Sequence, residues 1–154
     1  MSQENLEIPR RLIDAYNRGD VDSFIAELHP DVEWIPIMAA LEGRVYRGHD
    51  AVRRWLDDIA AHWDYFEPCY EEYHDLGDRV MIYGRWRARA HTSGVVLENQ
   101  PATWLYEFSD GKAVWMRTFT DRTEALEAAG LSPGDVPAAS GPPGLYEAAD
   151  SGSP

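Results

Sequence analysis

The stretch "YGRWRARAH", Tyr83 to His91, alternates strictly between two registers, with Gly84, Trp86, Ala88 and Ala90 in one and Tyr83, Arg85, Arg87, Arg89 and His91 in the other. Alternation of period two marks a β-strand, here with a small-and-aromatic face and a basic face. A row of arginines suggests an anion or nucleic-acid site, whereas a Trp among small residues suggests a pocket wall. The rest of the chain decides between them.

More alternating segments flank this one. "YFEPCYEEYHDL" precedes it across a Gly77-Asp78 turn, and "VVLENQPATWLYEFS" follows Gly94. The turn "DGK" then leads into "AVWMRTFTD", and Asp110-Gly111 between alternating runs is a strong hairpin signal. Upstream the period changes to that of helices. Leu6, Ile8, Leu12, Ile13 and Tyr16 form a stripe that ends at Gly19, with Pro9 expected in or near the first turn. Asp20 can cap a short second helix, "VDSFIAELH", and "PDVEWIPI" reads as a strand. After a loop, "MAALEGRVYRGHD", a third helix runs from about Asp50 to Trp63, its apolar face carrying Val52, Trp55, Leu56, Ile59 and Trp63. "RTEALEAAGL" makes a last short helix. Helices followed by an antiparallel meander predict an α+β fold, N-terminal helices packed in the concave face of a strongly curved sheet. Residues 1-131 form the expected domain, and 132-154, rich in Pro, Gly and Ala, a flexible tail.

Charge and composition narrow the function. The net charge of −13, with Lys112 the single lysine, repels phosphate polymers and anionic membranes, so neither nucleic acid nor membrane is an expected partner. No signal peptide or apolar span is evident, and the lone Cys69 forms no intrachain disulfide, which together predict a cytoplasmic protein. Six Trp and eight Tyr exceed what a core of this size requires, a surplus common where planar apolar ligands are covered. "CYEEYHD" gathers potential metal ligands, but alternation along a strand separates them and no second cluster completes a site, so no metal is expected. No phosphate loop is present, and no cofactor is expected.

From Leu6 to Leu131 the chain resembles the SnoaL-like branch of the nuclear transport factor 2-like superfamily of cone-shaped α+β proteins. The resemblance rests on "LIDAYNRGDVDSFIAELHPDVEW", "YRGHDAVRRWL" and "FSDGKAVWMRTFTDRTEALEAAGL", in that order. It implies a bent sheet wrapped around the third helix to make a conical pocket, and a homodimer that pairs through the outer sheet face. The branch includes polyketide cyclases, and the wider superfamily ketosteroid isomerases, epoxide hydrolases, dehydratases and pocket proteins without a known reaction. Fold alone therefore assigns no activity. The position matching the isomerases' base is Trp34, the positions matching the hydrolases' Arg and Asp are Gly84 and Trp86, and that of a last-strand Asp is Thr118. All three carboxylate positions are empty, although a two-residue slip would bring Asp121 to the pocket mouth.

The remaining acid-base candidates are His62, His74 and Asp121, each with a structural alternative. His62 suits a helix end and Asp121 a helix N-cap, while a tight turn at Gly77-Asp78 turns Tyr73 inward and a bulged one His74. By register the pocket should be lined by Tyr16, Trp34, Trp55, Trp63, Trp86, Trp104, Tyr106, Met116 and Thr118, with Phe108, Val114 and Thr120 on the same side. The arginines then point outward with Trp115, Arg117 and Phe119, where a second copy of the chain would meet them. Two functions follow: a cofactor-independent cyclase, isomerase or lyase acting on an apolar, aromatic or polycyclic carbonyl compound, or a non-catalytic ligand-binding or assembly module.

Overall fold

The computed structural model describes residues 2–139, so most of the expected tail lies outside the described residues. Helix α1 (Ser2–Arg18) buries Leu6, Ile8, Leu12 and Ala15. It begins earlier than its apolar stripe, which places Pro9 in the helix interior and not its first turn; there the ring leaves the Asn5 carbonyl without its helical donor. α2 (Val21–Ala26) is capped by Asp20, whose carboxylate accepts from the Ser23 amide at 3.1 Å. After β1 (Leu28–Ile35) the expected loop contains a further helix, α3 (Ile37–Glu42), bounded by Pro36 and by Gly43 at φ 72°. β2 (Tyr46–Arg47) is a two-residue edge, and α4 (Gly48–His62) follows it. The chain then runs through β3 (Trp63–Asp75), β4 (Arg79–Ala90), β5 (Val96–Ser109) and β6 (Lys112–Phe119) to α5 (Arg122–Ala129). Trp63 thus opens a strand instead of closing a helix.

The six strands form one curled, unclosed sheet in the order β2-β1-β6-β5-β4-β3, with β1 parallel to β6 and every other pair antiparallel. α1, α2 and α4 fill its concave side. The β5–β6 turn places Asp110 at φ 55° and Gly111 at φ 75°, the paired left-handed conformation that matches the twist of a two-residue hairpin.

Two bulges set which side chains face inward. On β6, Glu107 pairs with Trp115 and Phe108 with Ala113, so Val114 is the extra residue and Ala113, not Val114, joins the inner core. On β3, Tyr70 pairs with Gly84 and Glu72 with Tyr83; Glu71 is extra, and Tyr70 and Tyr73 both enter the inner core. Thr120 lies beyond the strand end and is exposed.

The outer face is covered in two ways. Met81, Tyr83, Leu105 and Phe119 pack beneath Ala125, Leu126 and Ala129 of α5, with Trp115, Leu131 and Val136 against the same cluster. Of the aromatic pair expected to meet a second copy, Phe119 is buried in this cluster under the chain's own last helix and Trp115 is half-buried against it. The arginines meet carboxylates of β3: Arg85 donates to Glu71 at 2.6 Å and Arg87 to Glu67 at 2.8 Å, and Arg89 lies 3.3 Å from Asp64. These partners are cross-strand neighbours within the chain. Among the described residues, no helix is long and apolar enough to cross a membrane.

Candidate functional site: an aromatic cavity

Helices and sheet enclose a cavity lined from every side. α1 supplies Leu12, Ile13 and Tyr16, α2 Phe24, β1 Trp34, and the start of α3 Pro36 and Ile37. α4 adds Trp55, and the strands add Phe66, Pro68, Tyr70, Trp86, Trp104, Met116 and Thr118. The rings interlock. Phe66 stacks on Trp86 with centroids 5.0 Å apart, Trp34 meets Phe24 edge-on at 5.4 Å, and Tyr16 lies against Trp55 at 6.2 Å. Edge-on and offset contacts of this kind add to the energy of burial and hold the wall in one arrangement.

The space left between these rings is small, about 40 Å³ for the centre of a water molecule. One water needs roughly 10–15 Å³ on that measure, and an apolar cavity of about 150 Å³ admits benzene. A ring-sized ligand therefore requires the wall to move. Trp55, Phe66, Pro36 and Ile37 also border a recess of about 200 Å³ lined by Met38, Arg44, Tyr46, Asp58, Ile59, His62 and Trp63. These four residues are the partition between the two spaces; Pro36 and Ile37 are buried, whereas Trp55 and Phe66 are half-buried.

Polar groups at the cavity are few. The Tyr16 hydroxyl donates to the Phe66 carbonyl at 2.5 Å, and the Tyr70 and Tyr106 hydroxyls are hydrogen-bonded at 2.7 Å. Thr118 Oγ1 makes a weak contact of 3.6 Å to Met116 Sδ. Burial raises the Tyr106 phenol, opposed in part by its bond to Tyr70, and burial next to Glu67 raises that of Tyr16. Both stay protonated at neutral pH. The indole Nε1 of Trp34 is buried and has no hydrogen-bond partner.

Of the residues expected to line the pocket, Tyr16, Trp34, Trp55, Trp86, Trp104, Met116 and Thr118 border the cavity. Tyr106 is fully buried behind it, reaching it through Tyr70, and Trp63 faces the outer recess. The acid-base candidates lie elsewhere. His62 is exposed at the end of α4, with Nδ1 bonded to the Asp58 carbonyl at 2.9 Å, and reaches only the recess. His74, 6% exposed, lies on the opposite sheet face from Tyr73, its Nδ1 donating to the Pro137 carbonyl at 2.7 Å and its ring against Tyr83. Asp121 caps α5, accepting from the Thr123 amide at 2.6 Å. No carboxylate, histidine, lysine or arginine lines the cavity among the described residues.

Leu12 and Ile13 belong to the apolar stripe expected of α1, whereas Phe24, Pro36, Ile37, Phe66, Pro68 and Tyr70 join the wall without being among the expected lining residues. Phe66 was within reach, since it shares the inward register of β3 with Pro68 and Tyr70 up to the Glu71 bulge. Among the described residues, no group of three or more His, Cys, Asp and Glu side chains is placed to hold a metal ion.

Comparison with known proteins places this architecture. An NTF2-like protein from Burkholderia thailandensis is 26% identical and superposes with a TM-score of 0.66 over 80% of this chain and 95% of its own. An NTF2-like protein of unknown function from Burkholderia pseudomallei, 24% identical, gives 0.68 over 80% and 95%. TerC, co-crystallised with polyporic acid, is 21% identical and gives 0.67 over 80% and 96%. A search of the curated proteins returned no match. Residues 10–116, most of the chain, match the SnoaL-like domain, and the chain belongs to that family.

Proposed function

We propose that this protein binds a small, neutral, largely apolar molecule with a planar portion in the cavity between α1, α4 and the sheet. The observation that carries this reading is the composition of the wall: aromatic and aliphatic side chains on every side and no charged group among them. Apolar surface removed from water stabilises a bound ligand, and a ligand ion without a countercharge would forfeit several kcal/mol of hydration. That TerC, a protein of the same fold, was co-crystallised with the small molecule polyporic acid supports a ligand-binding use of the fold.

Catalysis is the second reading, and one observation favours it. Tyr70, on the cavity wall, shares a hydrogen bond with Tyr106, and such a pair can donate to oxygen that gains negative charge. It cannot serve as a base near neutrality, because burial raises the Tyr106 phenol further above its ordinary range. Turnover by proton abstraction would then need a base contributed by the substrate itself or by His62 across the partition.

Titration of the 15N-labelled protein with naphthalene and with acetophenone tests the binding reading. Shifts concentrated on Trp86, Trp104, Met116 and Thr118 are expected. If neither compound at its solubility limit shifts these resonances, the cavity is core and the proposal fails.

A further inference from the structure

We infer that the cavity's ligand carries a neutral hydrogen-bond acceptor, such as the oxygen of a ketone, ester or ether, and that this atom docks on the indole N–H of Trp34. The inference rests on the binding reading above and specifies the chemistry of its ligand.

Trp34 is held from several directions. Its backbone pairs with Met116 of β6, and its ring contacts Phe24, Trp55 at 5.7 Å and Tyr106 at 6.1 Å. The residue is 3% exposed, Nε1 is shut off from water both outside and in the cavity, and no nitrogen, oxygen or sulfur atom of the protein accepts from it. An indole nitrogen is a donor only. Left unpaired in the interior, such a donor costs about 1–3 kcal/mol, and native structures avoid this at the great majority of buried polar atoms. An acceptor can therefore reach Nε1 only when the wall moves to admit a ligand, as a ring-sized ligand already requires, and the cavity is the void that Trp34 borders.

The neighbouring groups restrict what that acceptor can be. The Tyr16 hydroxyl is committed to the Phe66 carbonyl and the Tyr70 hydroxyl shares its hydrogen bond with Tyr106, whereas the Thr118 hydroxyl, held only by a weak sulfur contact, has the greatest freedom to turn toward a ligand. Thr118 lies two residues beyond Met116 on the same face of β6, so both donors border one wall. Two neutral donors suit a carbonyl oxygen with two lone pairs. They do not suit a carboxylate, since no cation faces the cavity to offset its charge.

Acetophenone and α-methylstyrene test this directly, being nearly the same shape with C=O exchanged for C=CH2, and benzoate supplies the anion. In wild-type protein, acetophenone should move one indole N–H resonance downfield, absent in Trp34→Phe, and α-methylstyrene should not. The ratio of the two dissociation constants should shift by about tenfold against the ketone in Trp34→Phe, the worth of one neutral hydrogen bond. Benzoate should bind neither protein measurably. If wild type binds both neutral compounds with no selective indole shift, the inference is overturned while the binding reading stands. If wild type binds neither, both fall. Should Trp34→Phe fold poorly, the wild-type indole shift and the ketone preference of Thr118→Val decide the matter alone.

Discussion

A Cβ atom on Gly84 would lie 2.0 Å from the carbonyl oxygen of Cys69 and 3.2 Å from the Trp104 ring. Glycine here is a matter of space, because the backbone of β3, bulged at Glu71, closes on β4 at this point while Trp104 covers the inner side. Gly84→Ala must push strand backbone aside, which in a packed interior costs about 3 kcal/mol. Urea unfolding should show that loss. An unchanged midpoint would mean that β3 can move away freely.

Opening the partition should change access to the cavity. Trp55→Ala removes the half-buried ring between the cavity and the recess, so naphthalene should bind faster and at least as tightly as in wild type. Loss of a ring that is only partly covered should cost about 2 kcal/mol, below the usual 3–5 for a buried aromatic. Stopped-flow mixing with naphthalene reads the rate, and a slower association would place the entrance elsewhere.

Tyr106 and Tyr16 make stability fall at alkaline pH. Each phenol is raised in the folded protein above its ordinary value of about 10, so its neutral form is favoured by folding. That contribution is fully present below pH 10 and is lost as pH rises beyond it, since the unfolded chain ionises first. Unfolding free energy measured from pH 8 to 11 should stay level and then drop, with Tyr106→Phe giving a shallower drop. Parallel curves for mutant and wild type would remove Tyr106 from the account.

The arginine row predicts a salt-dependent effect within one chain. Arg87 donates to Glu67, lies 3.8 Å from Glu98 and covers the Tyr65 ring, and Glu67 strengthens its hold on its proton. Arg87→Glu turns these contacts into repulsions, so the melting temperature should fall, more at low salt than at high salt. The sedimentation coefficient should not change. A mutant that dissociates from a larger species would restore the arginines to a subunit interface.

How far the sequence revealed the structure depended on local periodicity. The strict alternation at Tyr83–His91 and the Asp110-Gly111 turn gave the strands, and Val52, Trp55 and Leu56 gave α4. α3 was missed although Pro36 and Gly43 bracket "IMAALE" in the pattern of a helix start and stop, because only six residues lie between them. Val114 was misassigned because a bulge has no signature in alternation; it adds one residue and inverts every side chain beyond it. The dual character of the outer face was likewise hidden. Phe119 reads as exposed until the topology brings α5 over it, and the ion pairs of the outward arginines depend on β3 placing Glu71 and Glu67 beside Arg85 and Arg87. The unpaired Trp34 N–H could not be read at all, since it depends on what the other elements fail to bring near it.

The parallel pairing of β1 with β6 also governs how the protein forms. Leu28 aligns with Ala113 and Trp34 with Met116, partners separated by most of the chain, whereas β3 to β6 join successive neighbours through short turns. Contacts so remote in sequence form late, because the entropy of closing so long a loop is lost before any contact compensates for it. The meander can assemble early, but the wall that joins Trp34 to Met116 and Thr118 closes last. A nascent chain that has not yet released β6 from the ribosome can hold a partial sheet, yet it has no cavity to fill.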